Sequence, residues 1–186
     1  TGGTTGGTTT GVGAATIALA SDTPETSQVA KNAQDSLFTK IKFYGGAAGV
    51  TVTKLIVSRG GISADADLAS VKLYDGTTQL GSTQALNTNT HKVTFTGLSW
   101  NIPSGETKYL TIKGSIASGP TVGDSIRLNI NEAADITASA ALSGTFPIIG
   151  NAKTIAGISV GELYVATTTA PAAANVLSGS TEQQIA

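Results

Sequence analysis

The chain has 186 residues, of which 40% are hydrophobic, 5% aromatic and only 12% charged. Eleven Lys and Arg against twelve Asp and Glu give a net charge of −1, which argues against nucleic-acid or anionic-membrane partners, because both need a clustered basic face. There is no Cys, no Met and only one His, so disulfides, cysteine-ligated metals and sites built on two histidines are excluded by composition.

The chain opens with a tract that contains only Gly and Thr as far as Gly11, so we predict a Gly/Thr-rich N-terminal extension over residues 1–13. Thr1 is not a translation start, because the chain contains no Met. We therefore expect an exported, processed protein at the cell surface, where the absence of Cys avoids dependence on redox state. No apolar run approaches the ~20 residues that span a bilayer, so no membrane span is expected.

From Ala14 onward, short apolar runs of period two alternate with turn residues, which predicts about nine or ten short strands. Among these residues, Leu37, Ile41 and Phe43 are expected to share one buried face. Only residues 27–35 could form a short helix. The pattern predicts an all-β, Ig-like β-sandwich over residues 14–156 with extended N- and C-terminal segments. Its strands are expected near residues 16–19, 37–43, 50–57, 71–75, 77–80, 92–95, 98–102, 110–116, 126–130 and 146–155.

Two features of the pattern predict local backbone geometry. Val52 and Leu55 lie in opposite phases of the same strand, so a β-bulge is expected near Lys54. Asp75-Gly76 separates two strand-like runs, and this dipeptide accepts the positive φ angles of a tight β-hairpin turn.

The end of the chain repeats its beginning. Residues 157–167 echo residues 11–21 at an offset of 146 positions, and after one inserted residue the match continues at an offset of 147. We therefore predict a C-terminal extension over residues 157–186 that is either a donor strand or the start of a further repeat, since a free strand must pair with a sheet edge. The matched residues after the insertion are Thr23 with Ala170, Pro24 with Pro171 and Val29 with Val176.

The stretch from Val52 to Gly76 is similar to modules repeated in large surface proteins of bacteria, notably the ultrasmall candidate-phyla lineages. Leu98–Lys113, with the run Ile-Pro-Ser-Gly-Glu-Thr-Lys-Tyr-Leu-Thr-Ile-Lys, and Ser143–Ile148 also resemble that module. The resemblance covers residues 14–157 and implies an exported Ig-like surface module without catalytic residues.

Asp65, Asp67 and Asp75 supply oxygen ligands of the kind that calcium prefers, so they form a candidate calcium site. The alternative is that Asp67 caps a turn before Leu68 through its side-chain oxygen. No other cofactor is expected. A second polar cluster that could hold a cation comprises Asn129, Asn131, Glu132 and Asp135.

The remaining candidates for chemistry are His91 and Trp100. His91 lies in a polar loop without an evident carboxylate neighbour, so we predict an exposed loop residue and no enzymatic activity. Trp100 either stacks on a sugar ring or belongs to the core; its phase with Leu98 and Ile102 favours the core.

These observations predict a structural subunit of an extracellular filament or pilus, assembled head to tail from copies of this chain by strand addition. Leu163, Val165, Val176 and Ile185 are the expected apolar residues of the inter-subunit strand. One alternative is a tandem module of a surface-layer protein or adhesin. A second is a carbohydrate-binding module, with a glycan or host-surface ligand as a candidate partner.

Overall fold

The computed structural model describes residues 13–160, and these residues form an all-β sandwich, as expected. Two single-turn 3-10 helices, Asp65–Asp67 and Ala133–Asp135, interrupt the strands. The described strands number thirteen rather than nine or ten, because several have only two to five residues and give no period-two pattern. They are β1 Thr16–Leu19, β2 Ser27–Lys31, β3 Ser36–Tyr44, β4 Val50–Gly60, β5 Leu68–Asp75, β6 Thr78–Gln84, β7 Lys92–Phe95, β8 Trp100–Ile102, β9 Thr107–Ile116, β10 Ser125–Ile130, β11 Ile136–Ala138, β12 Ile148–Ile149 and β13 Lys153–Ser159.

The strands form two sheets. The first has the order β1-β3-β9-β5-β6 and is antiparallel throughout. The second has the order β11-β4-β10-β13-β2, with β7 and β8 also pairing with β4, and β12 with β10. The orders β1-β3-β9-β5 and β4-β10-β13 correspond to the ABED and CFG sheets of the immunoglobulin fold. Within the described part of the chain, β1 and β2 are therefore edge strands, one in each sheet.

The core lies between the two sheets and is built from the inward-facing side chains of both. Phe38, Ile41 and Phe43 come from β3, and Leu128 and Ile130 come from β10, all at 0% exposure. Each fully buried side chain of this size contributes about 1.5–3 kcal/mol relative to an exposed one.

Both predictions of local geometry are confirmed. The pairing of β11 with β4 skips one residue between Lys54 and Val52, which is the expected bulge. The hairpin between β5 and β6 turns at Gly76 and Thr77, with Asp75 paired to Thr78 and Gly76 at φ 59°.

Two other expectations are wrong. Residues 27–35 are not helical: β2 pairs in parallel with β13, and Asn32 and Asp35 have φ angles of 59° and 51°, which a right-handed helix does not accept. Leu37 does not share the buried face of β3, because the register against β9 shifts between Leu37 and Thr39. Phe38 takes the inward position instead, and Leu37 is 38% exposed.

Candidate assembly interface

The two chain ends of the described region lie at opposite ends of the sandwich. Gly13 accepts a hydrogen bond from the amide of Ala47, in the turn that follows β3. Val160 donates its amide to the carbonyl of Lys31, the last residue of β2, and the next residue, Asn32, bonds to Ala117 just past the end of β9 that pairs with the start of β3. We call these the Gly13 end and the Val160 end. Since β3 has nine residues, they are separated by roughly 27 Å of strand.

The edge strand β1 is only lightly held on its outer side. Its inner side pairs with β3 from Thr16 opposite Tyr44 to Leu19 opposite Ile41. On the outer side, Ile17 donates its amide to the carbonyl of Ser143, and Ser143 donates its amide to the carbonyl of Ala15, both at 2.9 Å. Among residues 13–160, this is a single bridge and not a strand pairing.

An open groove of about 630 Å³ continues along the outer edge of β1 beyond this bridge. It is lined by β1 and by residues 143–145 and 147–149. Leu19 and Ile149 line it with 38% and 45% of their surface exposed. This edge therefore offers both backbone and apolar surface to a further segment of chain.

The edge strand β2 is held by β13 and by a buried lysine. Lys153 is 7% exposed, and its Nζ donates to Ser27 Oγ at 2.6 Å and to the Glu25 carbonyl at 3.2 Å. Burial lowers the pKa of the Lys153 ammonium, because the charged form loses solvation. Lys153 thus holds the chain from Glu25 to Ser27, where β2 begins.

The four residues predicted for the inter-subunit strand, Leu163, Val165, Val176 and Ile185, lie outside the described residues, as do the Gly/Thr tract and most of the C-terminal extension. The residues they echo are described. Ile17, which corresponds to Leu163, is 2% exposed, and Val29, which corresponds to Val176, is 8% exposed. The echo therefore keeps an apolar residue at two positions whose side chains point into the core of the described sandwich.

The structure does not bring the three predicted calcium ligands together. Asp65 and Asp67 precede β5, whereas Asp75 ends it, so Asp67 and Asp75 are roughly 25 Å apart along the strand. Asp67 accepts the amide of Ala64 at 2.8 Å, which confirms its role as a turn cap. Within residues 13–160 no group of three or more acidic, His or Cys side chains is placed to hold a metal ion.

Asp65 instead joins two residues that are distant in sequence. Its Oδ1 accepts a hydrogen bond from Arg59 Nε at 2.6 Å, and its Oδ2 lies 2.7 Å from His91 Nδ1. The carboxylate neighbour of His91 that the sequence did not reveal is therefore Asp65. Burial raises the pKa of the Asp65 carboxyl, but the hydrogen bonds from Arg59 and His91 outweigh this, so its pKa lies below its ordinary value.

Asp135 in the second polar cluster is used to close its own turn. It is 2% exposed and accepts the amides of Asn131 and Glu132 at 3.2 and 3.3 Å. Lys92 Nζ lies 3.2 Å from its other oxygen. The Asn129 side chain accepts the amide of Gly150. Two of the four side chains of this cluster, those of Asn129 and Asp135, are thus engaged with the protein itself.

Trp100 is a core residue, as its phase predicted, and is 4% exposed. Its ring meets Phe43 edge to face, with the centroids 4.9 Å apart. Its Nε1 donates to Asp75 Oδ2 at 2.9 Å, and Lys108 Nζ lies 3.0 Å from the same oxygen. The ring face is therefore not available to stack on a sugar.

No protein-family model matches the chain, and no curated protein matches it. The chain is similar to the solved structure of a family 123 glycoside hydrolase from Clostridium perfringens, an enzyme of glycolipid glycan hydrolysis. The identity is 11% and the TM-score 0.39, over 76% of this chain and 27% of the hydrolase chain. This chain thus spans about a quarter of that enzyme, and at this TM-score the likeness carries no argument about activity. No helix among residues 13–160 has the length and hydropathy to cross a bilayer.

Proposed function

We propose that the chain is a structural subunit of an extracellular filament, in which copies follow one another head to tail and are joined by strand addition. In this proposal the protein is not an enzyme, and its principal partner is a further copy of itself.

The observation that carries the proposal is the position of the two chain ends. The chain enters at the Gly13 end and leaves at the Val160 end, about 27 Å away along β3. Copies that join these ends repeat in one direction, and a head-to-tail contact that does not close into a ring propagates into a fibre. A sandwich with both ends on one side would favour a closed pair instead.

The edge strands supply a means of joining. Pairing at an exposed strand edge gives affinity through backbone hydrogen bonds and specificity through alternate side chains. The β1 edge has one bridge to Ser143 and an open groove beside it. The predicted donor residues Leu163 and Val165 have the alternating spacing that such an edge accepts.

The second candidate is a module in a longer surface-layer protein or adhesin. It is favoured by the echo at residues 157–186, because a tandem repeat would place the next β1 at that point of the chain. The carbohydrate-binding alternative depended on Trp100, which is buried in the core.

A truncation after Val160 tests the filament proposal without cutting into β13. We expect the full chain to form particles of high mass by light scattering and the truncated chain to remain a folded monomer. Assembly of the truncated chain to the same extent would contradict the proposal. Intact mass of the native protein from cell surfaces separates the candidates: a unit near 18.5 kDa supports the filament, and a much longer polypeptide supports the tandem module.

A further inference from the structure

We propose that residues 162–178 of one copy occupy the place of β1 and β2 in the next copy and displace that copy's own edge strands; we call this replacement the exchange. This inference rests on the proposed filament function and specifies its joint: a strand could be added along the outer edge of β1 or in the place of β1 and β2, and we assign it to the second position.

The sequence of the segment fits that place residue by residue. Leu163 corresponds to Ile17 and Val176 to Val29, which are the inward-facing residues of β1 and β2. Tyr164 corresponds to Ala18, which faces outward. Between the two strands, an alanine and a proline recur: Ala20, which is 2% exposed, corresponds to Ala166, and Pro24 corresponds to Pro171.

The position of β1 and β2 allows the exchange. Each is the outermost strand of its sheet, so both can leave without breaking the pairing of β3 with β9 or of β10 with β13. The replacement costs little in backbone pairing, because a segment of similar pattern restores the strand hydrogen bonds and the two core side chains that β1 and β2 give up.

The direction of the chain also fits. β1 starts near the Gly13 end and β2 finishes at the Val160 end, where Lys31 meets Val160. A segment that leaves one copy at its Val160 end meets the Gly13 end of the next copy. It then runs through the β1 and β2 positions in the native direction without reversing.

Two contacts hold the chain's own strands more firmly than the segment can. Thr23 Oγ1 accepts the amide of Lys40 at 3.0 Å, and Ser27 Oγ accepts from Lys153 Nζ. The aligned residues of the segment, at positions 170 and 174, are both alanine. Removing the two hydroxyls from the chain's own strands should therefore shift the equilibrium toward the exchanged form.

Disulfide trapping tests the exchange at its predicted register, and the chain has no natural Cys to interfere. Ala18 is paired with Lys42, so the exchange places Tyr164 opposite Lys42 of the neighbouring copy. A full-length Tyr164→Cys/Lys42→Cys variant should form a ladder of disulfide-linked multimers under mild oxidation. Paired strand positions have Cα separations that a disulfide accepts.

Two control pairs calibrate the result. Ala18→Cys/Lys42→Cys should give an intrachain disulfide in a monomer, which would show that a disulfide can form between these two strand positions. Tyr164→Cys/Lys113→Cys should lose the ladder, because Lys113 lies on β9, on the far side of β3. Adding Thr23→Ala and Ser27→Ala to the first pair should increase the yield of multimers.

The inference is overturned if the Tyr164→Cys/Lys42→Cys variant keeps free thiols, or if its disulfide forms within a single chain. Fibres that form without the disulfide ladder would overturn the exchange and leave the filament proposal standing. If neither fibres nor the ladder form, the exchange and the filament proposal are both overturned. A second pair of variants gives an independent readout: Leu163→Asp should abolish assembly and Tyr164→Asp should not. Equal effects of these two variants would contradict the register.

Discussion

Replacing Asp75 with Ala removes the acceptor that satisfies the indole of Trp100. Asp75 Oδ2 accepts from Trp100 Nε1 at 2.9 Å and from Lys108 Nζ at 3.0 Å. A buried donor left unsatisfied costs about 1–3 kcal/mol. The ion pair with Lys108 adds about 0–1 kcal/mol, because both side chains are close to a third exposed. We expect the free energy of unfolding to fall by about 2–3 kcal/mol.

Urea unfolding followed by Trp100 fluorescence and by circular dichroism measures this change, since Trp100 is the one Trp of the chain. In a domain of this size the expected loss corresponds to a melting temperature lower by roughly 4–12 °C. Asp75→Asn is the matched control, because it keeps an acceptor for the indole and should cost less than about 1 kcal/mol. Equal stability of the Ala and Asn variants would refute the role assigned to the indole hydrogen bond.

Three further predictions concern Asp135, the pair of turn glycines Gly46 and Gly76, and the response of Asp65 to acid. Asp135→Ala should lower the free energy of unfolding by about 2–4 kcal/mol, since two turn amides lose their acceptor, and Asp135→Asn should cost less in the same urea titration. Gly46→Ala should cost about 3 kcal/mol or more, because its Cβ would lie 2.2 Å from the Gly13 carbonyl at a φ of 63°. Gly76→Ala, with open space around it, should cost about 1 kcal/mol, so similar melting temperatures for the two variants would contradict this account. The lowered pKa of Asp65 contributes stability above about pH 4 that is lost as the pH falls through its folded-state pKa. The stability of Asp65→Asn should therefore decline less in acid.

Period-two patterning was sufficient to predict the fold class and the long strands, because β3, β4, β9 and β10 each have one face in the core. It failed at β2, whose Ser-Gln-Val-Ala-Lys sequence buries only Val29, so that parallel pairing with β13 decides its conformation. It also failed at Leu37, since a register shift against β9 reverses the phase within the strand. Such shifts depend on the partner strand and not on local sequence.

The polar contacts between side chains distant in sequence were less accessible from sequence than the fold. Asp65 meets His91 across 26 positions and Arg59 across six, and no spacing rule links these residues before the sheets are formed. The same holds for Asp75 and Trp100. By contrast, the echo was visible in sequence alone. The described strands explain which of its positions matter, because Ile17 and Val29, which the segment repeats as Leu163 and Val176, are buried.

Electron microscopy of the full chain tests the central claim, which is head-to-tail assembly through opposite ends of the sandwich. We predict polar fibres with an axial repeat on the order of 36 Å, the span of the eleven-residue β4 at about 3.3 Å per residue. Isolated particles of single-sandwich size at concentrations that favour assembly, or fibres whose subunits alternate in direction, would contradict it.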